Sequence, residues 1–184
     1  LPERVFEITE DLWKRITPWP LIPFRLVQTY GWYVSYLYSH QYLVMPVWRN
    51  GKAVYYSARK LEEAANLCKY LYPKGAKKSY WISSDELKED PIIICEGVAD
   101  AVYCSTIGSS VAILGSHYAG TLDTIFRDRH VALVLDGDAV GIFSAITIKQ
   151  KIAKVAKSAE VVILPNGKDP TDFSVDKLRE LVYK

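Results

Sequence analysis

The sequence is poor in cysteine and has almost no excess of charge of either sign. Its three cysteines, Cys68, Cys95 and Cys104, include no CxxC pair, so neither a disulfide framework nor a zinc site is predicted. Lys and Arg number 23 against 21 Asp and Glu, and a net charge of +2 does not by itself indicate binding to nucleic acid. No signal peptide is recognisable and unpaired thiols suit a reducing compartment, so a cytoplasmic location is predicted.

Long uncharged runs are also scarce, and the longest of them does not favour a membrane protein. Residues 26–48 carry no charged side chain, but polar residues interrupt them and Pro46 would break a helix. Only an interfacial location is compatible with this pattern, and we predict no membrane partner. The chain has 184 residues, of which 49% are hydrophobic, enough for a sizeable core. Because it begins with Leu1 rather than Met, we expect it to be a piece of a longer chain.

Residues 1–90 have an irregular pattern that predicts a small α+β subdomain. Asn50-Gly51 lies between two β-rich runs and is a strong hairpin signal. The predicted elements are a helix from a Thr9 cap to Ile16, strands at 42–48 and 53–58, and a helix at 59–71.

The same region is locally basic. It holds eight Lys or Arg and two Glu within 49–78, a local charge of +6. The basic residues are Arg49, Lys52, Arg59, Lys60, Lys69, Lys74, Lys77 and Lys78. Tyrosines among them could stack on bases while the cations contact phosphates. The alternative is a solvated basic face over a tyrosine-rich core.

Residues 91–184 alternate between short apolar runs and helical patterns. The predicted strands are 92–95, 111–114, 131–135 and 161–164, and the predicted helices are 98–107, 121–126, 140–157 and 174–182. Right-handed crossovers would make this a parallel sheet covered by helices, so the predicted fold class is α/β.

Acidic residues follow three of the four predicted strands. They are Glu96 and Asp100 after the first strand, Asp136 and Asp138 after the third, and Asp169 and Asp172 after the fourth. Ligands of open α/β sheets bind at the carboxyl ends of the strands. If the first and third strands are neighbours, their carboxylates share one small volume, and Mg²⁺ suits such oxygen ligands. Two such ions could carry a phosphoryl transfer.

Each acid also has a simpler interpretation as a helix cap. Glu96 or Asp138 could serve only as a cap, Asp172 could cap the final helix, and His117 could be an ordinary loop residue. Gly97 and Gly137, beside the acids, are predicted to leave room for a phosphate near the backbone. Three acidic strand ends favour metal binding over capping.

The order and spacing of four segments resemble those of the Toprim domain of bacterial-type primases, including phage primases. The segments are IIICEGVAD ending at Asp100, LGS around Gly115, VLDGDAVG ending at Gly141, and PNGKDP ending at Pro170. More loosely, residues 44–59 resemble a primase hairpin that ends in an arginine. Thr171 stands where bacterial members often have an acid.

The resemblance implies a Rossmann-like Toprim domain at 91–184, preceded by the basic subdomain at 1–90. It implies that Glu96, Asp136 and Asp138 are catalytic. The implied ligands of two Mg²⁺ or Mn²⁺ ions are Asp136, Asp138, Asp169, Glu96 and Asp100. The residues implied to contact nucleic acid or nucleotide are Arg49, Arg59, Lys69, Lys77, Lys78 and Lys168.

The predicted function is therefore that of a primase catalytic core, which makes RNA primers on single-stranded DNA. Its predicted partners are the template, ribonucleoside triphosphates and a replicative helicase, in a bacterial or phage-infected cell. Two alternatives stay open: a nuclease or topoisomerase fragment with the same domain, and a non-catalytic nucleic-acid-binding module.

Overall fold

The chain folds into two units. The computed structural model describes residues 1–62, 68–84, 86–115 and 123–184. The units are Leu1–Ser79 and Tyr80–Lys184. The sequence predicted a boundary after residue 90, but residues 80–90 belong to the second unit because Trp81–Ile82 pairs with the strand Ser110–Ala112 of its sheet.

The first unit is built around an antiparallel sheet. Its elements are β1 (Phe6–Glu7), α1 (Glu10–Ile16), α2 (Phe24–Thr29), β2 (Tyr33–Leu37), β3 (His40–Arg49), β4 (Lys52–Lys60) and β5 (Tyr70–Leu71). The strand order is β1-β2-β3-β4-β5. The predicted cap at Thr9 is confirmed, since its side chain accepts a hydrogen bond from the Leu12 N–H.

The predicted hairpin joins β3 and β4. Asn50 and Gly51 have φ angles of 48° and 70°, both in the left-handed region, and a two-residue turn of this kind matches the twist of the two strands. Indole rings of Trp13 and Trp19 pack edge-on against Trp32, with ring centres 5.9 and 6.1 Å away. This aromatic cluster gives the small unit a buried core.

The predicted helix at 59–71 is wrong at both ends. Arg59 and Lys60 continue β4, and Tyr70 starts β5; residues 63–67 lie outside the described part of the chain. Arg59 pairs with Leu43 on one side and with Tyr70 on the other. Pairing with two strands outweighs the local helical pattern.

The second unit is an α/β domain. Its elements are β6 (Trp81–Ile82), β7 (Ile92–Cys95), α3 (Val98–Cys104), β8 (Ser110–Ala112), α4 (Asp123–Phe126), β9 (His130–Leu133), α5 (Ala139–Ile152), β10 (Ser158–Val161), a 3-10 turn (Pro170–Asp172) and α6 (Val175–Val182). The strand order is β10-β9-β7-β8-β6, parallel except for β6. The predicted α/β fold with a parallel sheet is confirmed.

The central strands are buried on both faces, as their unbroken apolar runs predict. Ile92, Ile93 and Ile94 have no exposed surface, and Leu133 on the neighbouring strand is equally buried. The edge strand β10 begins and ends three residues earlier than the predicted strand at 161–164. An edge strand pairs on one side only, so its apolar run need not coincide with its paired residues. Ile163, which lies in the predicted strand but after the observed one, is 66% exposed.

Other predicted elements also differ in length from the structure; the helix predicted at 98–107, for example, ends at Cys104. The helix predicted at 140–157 ends at Ile152, because the chain then turns to start β10 and the Lys157 N–H donates to the Arg129 carbonyl. Of the helix predicted at 121–126, residues 123–126 form α4, whereas residues 121 and 122 and His117 lie outside the described residues. Over the described ranges, no helix is long and apolar enough to cross a membrane.

Candidate active site

Strands β7 and β9, which correspond to the first and third predicted strands, are neighbours in the parallel sheet, as the metal hypothesis requires. Ile94 of β7 pairs with Leu133 of β9, and the Val134 N–H donates to the Ile94 carbonyl over 2.8 Å. Glu96 follows the end of β7, and Asp136 follows the end of β9. Both therefore leave the sheet at the same edge, which we call the acidic edge, formed by Glu96, Asp100, Asp136, Asp138 and Asp169.

Backbone hydrogen bonds fix the loops that carry these acids. The Gly115 N–H donates to the Glu96 carbonyl over 3.3 Å, and the Gly137 N–H donates to the Lys168 carbonyl over 2.7 Å. The second bond joins the loop after β9 to the loop after β10. It brings the Asp136–Asp138 segment beside Asp169.

Asp100 is the most buried member of the acidic edge. It lies in the first turn of α3, is 9% exposed, and accepts a hydrogen bond from the Gly97 N–H over 3.2 Å. Burial, followed by the negative charges of Asp169, Asp136 and Glu96, raises the pKa of Asp100 well above its ordinary value. The negative charges of three other acids therefore act on the buried Asp100 carboxyl group.

Asp138 is both exposed and used as a cap. Its Oδ1 accepts a hydrogen bond from the Gly141 N–H over 2.7 Å at the start of α5. Capping is thus confirmed for Asp138, whereas Glu96 is not the cap of α3, which begins after Gly97. A cap occupies one carboxylate oxygen and leaves the other for a ligand.

The loop after β10 is organised around Asp169. Oδ1 of Asp169 accepts hydrogen bonds from both N and Oγ1 of Thr171, over 2.8 and 2.6 Å. Asp172 accepts from the Asp169 N–H over 3.0 Å and pairs with Lys168 over 3.1 Å. The interpretation of Asp172 as the cap of the final helix is wrong, since Ser174 caps α6.

The two glycines beside the acids allow close contacts between protein atoms. A Cβ atom on Gly97 would lie 2.7 Å from Oδ2 of Asp100, and one on Gly137 would lie 2.8 Å from the carbonyl oxygen of Leu164 and closer still to that of Pro165. Gly137 is also buried. At both positions the space that a Cβ atom would need is therefore already occupied by protein atoms.

The donor set has the chemistry that Mg²⁺ or Mn²⁺ prefers. Every member of the acidic edge offers carboxylate oxygens, and the buried Asp100 faces three other negative charges that a cation would offset. Within residues 1–62, 68–84, 86–115 and 123–184, no three His, Cys, Asp or Glu side chains are grouped closely enough as they stand to hold a metal ion. The residues therefore fit the ions in their chemistry.

Arg59 lies in an aromatic cage in the first unit. Its guanidinium carbon is 4.7 Å from the ring centre of Trp19 and 5.5 Å from that of Tyr70, and Nη1 donates to the Tyr70 hydroxyl over 2.8 Å. The cage holds the guanidinium group in one orientation on the sheet. Lys69 is exposed, with Nζ 6.0 Å from the ring centre of Tyr70.

The other predicted basic residues differ from one another in their contacts and exposure. Nη1 of Arg49 donates to the Trp48 carbonyl over 2.6 Å, and Lys168 pairs with Asp172. Lys77 is exposed and Lys78 is half-buried. The structure thus gathers Arg59 and Lys69 around Tyr70, whereas Lys168 belongs to the second unit.

Sequence reasoning missed three residues that shape these sites: Thr171, Gly141 and Trp19. A Cβ atom on Gly141 would overlap the carbonyl oxygen of Asp136, so this glycine lets α5 start against that acid. The signal for Gly141 was its place in the resembling segment VLDGDAVG. Trp19, between two prolines, carried no recognisable signal.

Comparison with known proteins relates the chain to primases. A model of Toprim-like domains matches residues 93–174. A DNA primase of Streptomyces coelicolor is 31% identical over 145 residues, which cover 69% of this chain and 23% of that protein. Residues 93–174 of the second unit are therefore similar to Toprim-like domains.

Solved structures extend the likeness over both units. The zinc-binding and RNA polymerase domains of Aquifex aeolicus primase give a TM-score of 0.77 at 15% identity, over 95% of this chain and 56% of that one. The RNA polymerase domain of Mycobacterium tuberculosis primase gives 0.64 at 22% identity, over 98% and 67%. The chain has the fold of bacterial primase cores, and it spans about a quarter of the Streptomyces primase.

Proposed function

We propose that the chain is the catalytic core of a DNA primase, which joins ribonucleotides into primers on single-stranded DNA with the help of divalent metal ions. The observation that carries the proposal is that Glu96 and Asp136 follow neighbouring parallel strands and that both, together with Asp169, are near enough to Asp100 to affect its ionisation. The sequence similarity to a DNA primase supports the choice among enzymes that use such acids.

In this proposal the acids have different roles. Asp136 and Asp138 hold two Mg²⁺ or Mn²⁺ ions, with Asp169 and Asp100 completing the negative site. When bound, the ions supply charge stabilisation and an activated hydroxyl for phosphoryl transfer. Glu96, directly after β7, accepts a proton or orients the attacking group at the reacting phosphate.

The basic segment of the first unit binds the template or the incoming nucleotide. Lys69 and Lys77 are exposed and suit phosphate contacts. The caged guanidinium of Arg59 offers a fixed cation, and Tyr70 beside it offers a ring face for a base. Arg49, Lys78 and Lys168 are the further candidates for contact with nucleic acid or nucleotide.

The proposed partners follow from this activity: single-stranded DNA, ribonucleoside triphosphates and a replicative helicase. The proposed place of action is the cytoplasm of a bacterium or of a phage-infected cell. The helicase is proposed only because the chain is similar to a DNA primase.

The deciding experiment is synthesis from labelled ribonucleotides on varied single-stranded templates, with and without Mg²⁺ or Mn²⁺. We expect short products that need both template and metal, and their loss in Asp136→Asn with the fold retained. Shortening or relaxation of the DNA would instead indicate a nuclease or topoisomerase activity. Metal-independent binding of DNA with neither reaction would indicate a non-catalytic module.

A further inference from the structure

Thr171 is buried against a carboxylate of the acidic edge. The residue is 7% exposed, and both of its donors, the backbone N–H and the Oγ1 hydroxyl, reach the same oxygen, Oδ1 of Asp169. The hydroxyl bond is 2.6 Å long, as expected for a hydroxyl that donates to a charged oxygen. Both of these hydrogen bonds hold Oδ1, and the Asp169 side chain also takes part in a capping box with the backbone of Asp172.

The turn that carries Thr171 is held from both sides. The N–H of Asp169 donates to Oδ2 of Asp172, whose other oxygen pairs with Lys168. The hydroxyl of Tyr103, on the same helix as Asp100, donates to the Phe173 carbonyl over 2.7 Å. The turn is therefore tied to α3, and the carboxylate of Asp169 lies close enough to Asp100 to influence its ionisation.

We propose that Thr171 is a positioning residue that clamps Oδ1 of Asp169 and so presents Oδ2 to a divalent cation at the acidic edge. This inference rests on the proposed function, because it assumes that Asp169 is a metal ligand. Two donors from one residue fix both the rotation and the tilt of a carboxylate. Without the hydroxyl, Thr171 would hold the carboxylate through its backbone N–H only.

The chain offers a matched pair of variants. Thr171→Val keeps the branched shape and the backbone donor but removes the hydroxyl, whereas Thr171→Ser keeps the hydroxyl. Partners that orient a metal ligand commonly change metal affinity by about 10- to 100-fold when they are removed. Because the backbone donor remains here, we expect the lower end, about tenfold weaker binding of Mn²⁺ in Thr171→Val and a change under about twofold in Thr171→Ser.

The measurement is calorimetric titration of the metal-free full chain with Mn²⁺, together with thermal unfolding in the absence of metal. Rescue by Ser separates positioning from packing, because a purely structural role would follow side-chain volume and not the hydroxyl. If Thr171→Val does not fold, Thr171→Ala replaces it in the same titration. Unchanged Mn²⁺ affinity in a folded variant without the hydroxyl overturns the proposal.

Two additional variants separate this inference from the proposed function. If Asp136→Asn loses Mn²⁺ binding while Asp169→Asn does not, the metal site stands and the role of Thr171 is overturned. If the unmodified chain binds no Mn²⁺, the metal assignment and the role of Thr171 fall together. Weakening by Asp169→Asn and by Thr171→Val, with rescue by Thr171→Ser, supports both.

Discussion

Gly137→Ala should disrupt the contact between the two loops that bring the acids together. The added Cβ would overlap the carbonyl oxygen of Pro165 and lie 2.8 Å from that of Leu164, and backbone atoms cannot rotate away as a side chain would. Overpacking of this kind costs about 1–3 kcal/mol. For a chain of this length the melting temperature would fall by about 2–12 °C. Since the Gly137 N–H also binds the Lys168 carbonyl, Mn²⁺ affinity should fall as well.

The assay is urea unfolding followed by circular dichroism, with Mn²⁺ titration of the same samples. Gly75→Ala is a suitable control because Gly75 has a left-handed φ of 75° and no atom within 4 Å of its Cβ position. The control should lose some stability through backbone strain and keep its metal affinity. If Gly137→Ala unfolds within about 0.5 kcal/mol of the parent and binds Mn²⁺ equally well, the close packing of the two loops is refuted.

Three further variants test separate parts of the site. Glu96→Gln should lower primer synthesis at least about 10²-fold with Mn²⁺ affinity less affected, and normal turnover would remove Glu96 from the chemistry. The raised pKa of Asp100 means that its stabilising effect is complete below the ordinary value of 3.8 and is lost as the pH rises through the higher folded value. Asp100→Asn should therefore flatten the fall in unfolding free energy with rising pH, and an unchanged pH profile would contradict this. Replacing Arg59 and Lys69 together by Ala should weaken the binding of single-stranded DNA and reduce the log–log slope of its affinity against salt concentration by up to about 1.4. If Arg59 instead binds the triphosphate, the nucleotide KM should rise. No change in either quantity would leave the basic segment as a solvated surface.

Strong local signals in the sequence predicted the central strand and the hairpin of the fold. The strand at Ile92–Cys95 was predicted with its observed bounds, because a four-residue apolar run buried on both faces allows little choice. Asn50-Gly51 fixed the hairpin because few other residue pairs accept two left-handed φ angles. The neighbouring positions of Glu96 and Asp136 then followed from strand order, which the sequence alone left conditional.

Features that depend on contacts between distant segments could not be predicted. Arg59 was assigned to a helix because its pairing with Tyr70 is a tertiary contact that no local pattern reports. Gly137 suggested space for a ligand, and the space that its Cβ atom would need is taken by the loop after β10. The hydroxyl of Thr171 gave no signal, because its importance comes only from the carboxylate that it reaches.

Capping and metal binding, treated as rival interpretations of each acid, are compatible in this chain. Asp100, Asp138 and Asp169 each use one oxygen to accept a backbone N–H at the start of a helix or turn. Asparagine keeps an oxygen that can accept the same bond, so an Asp→Asn change at these positions removes charge while it preserves the cap. Loss of Mn²⁺ binding in such a variant would therefore report on the charge of the carboxylate rather than on the local fold. An Asp→Ala change would remove both and could not separate them.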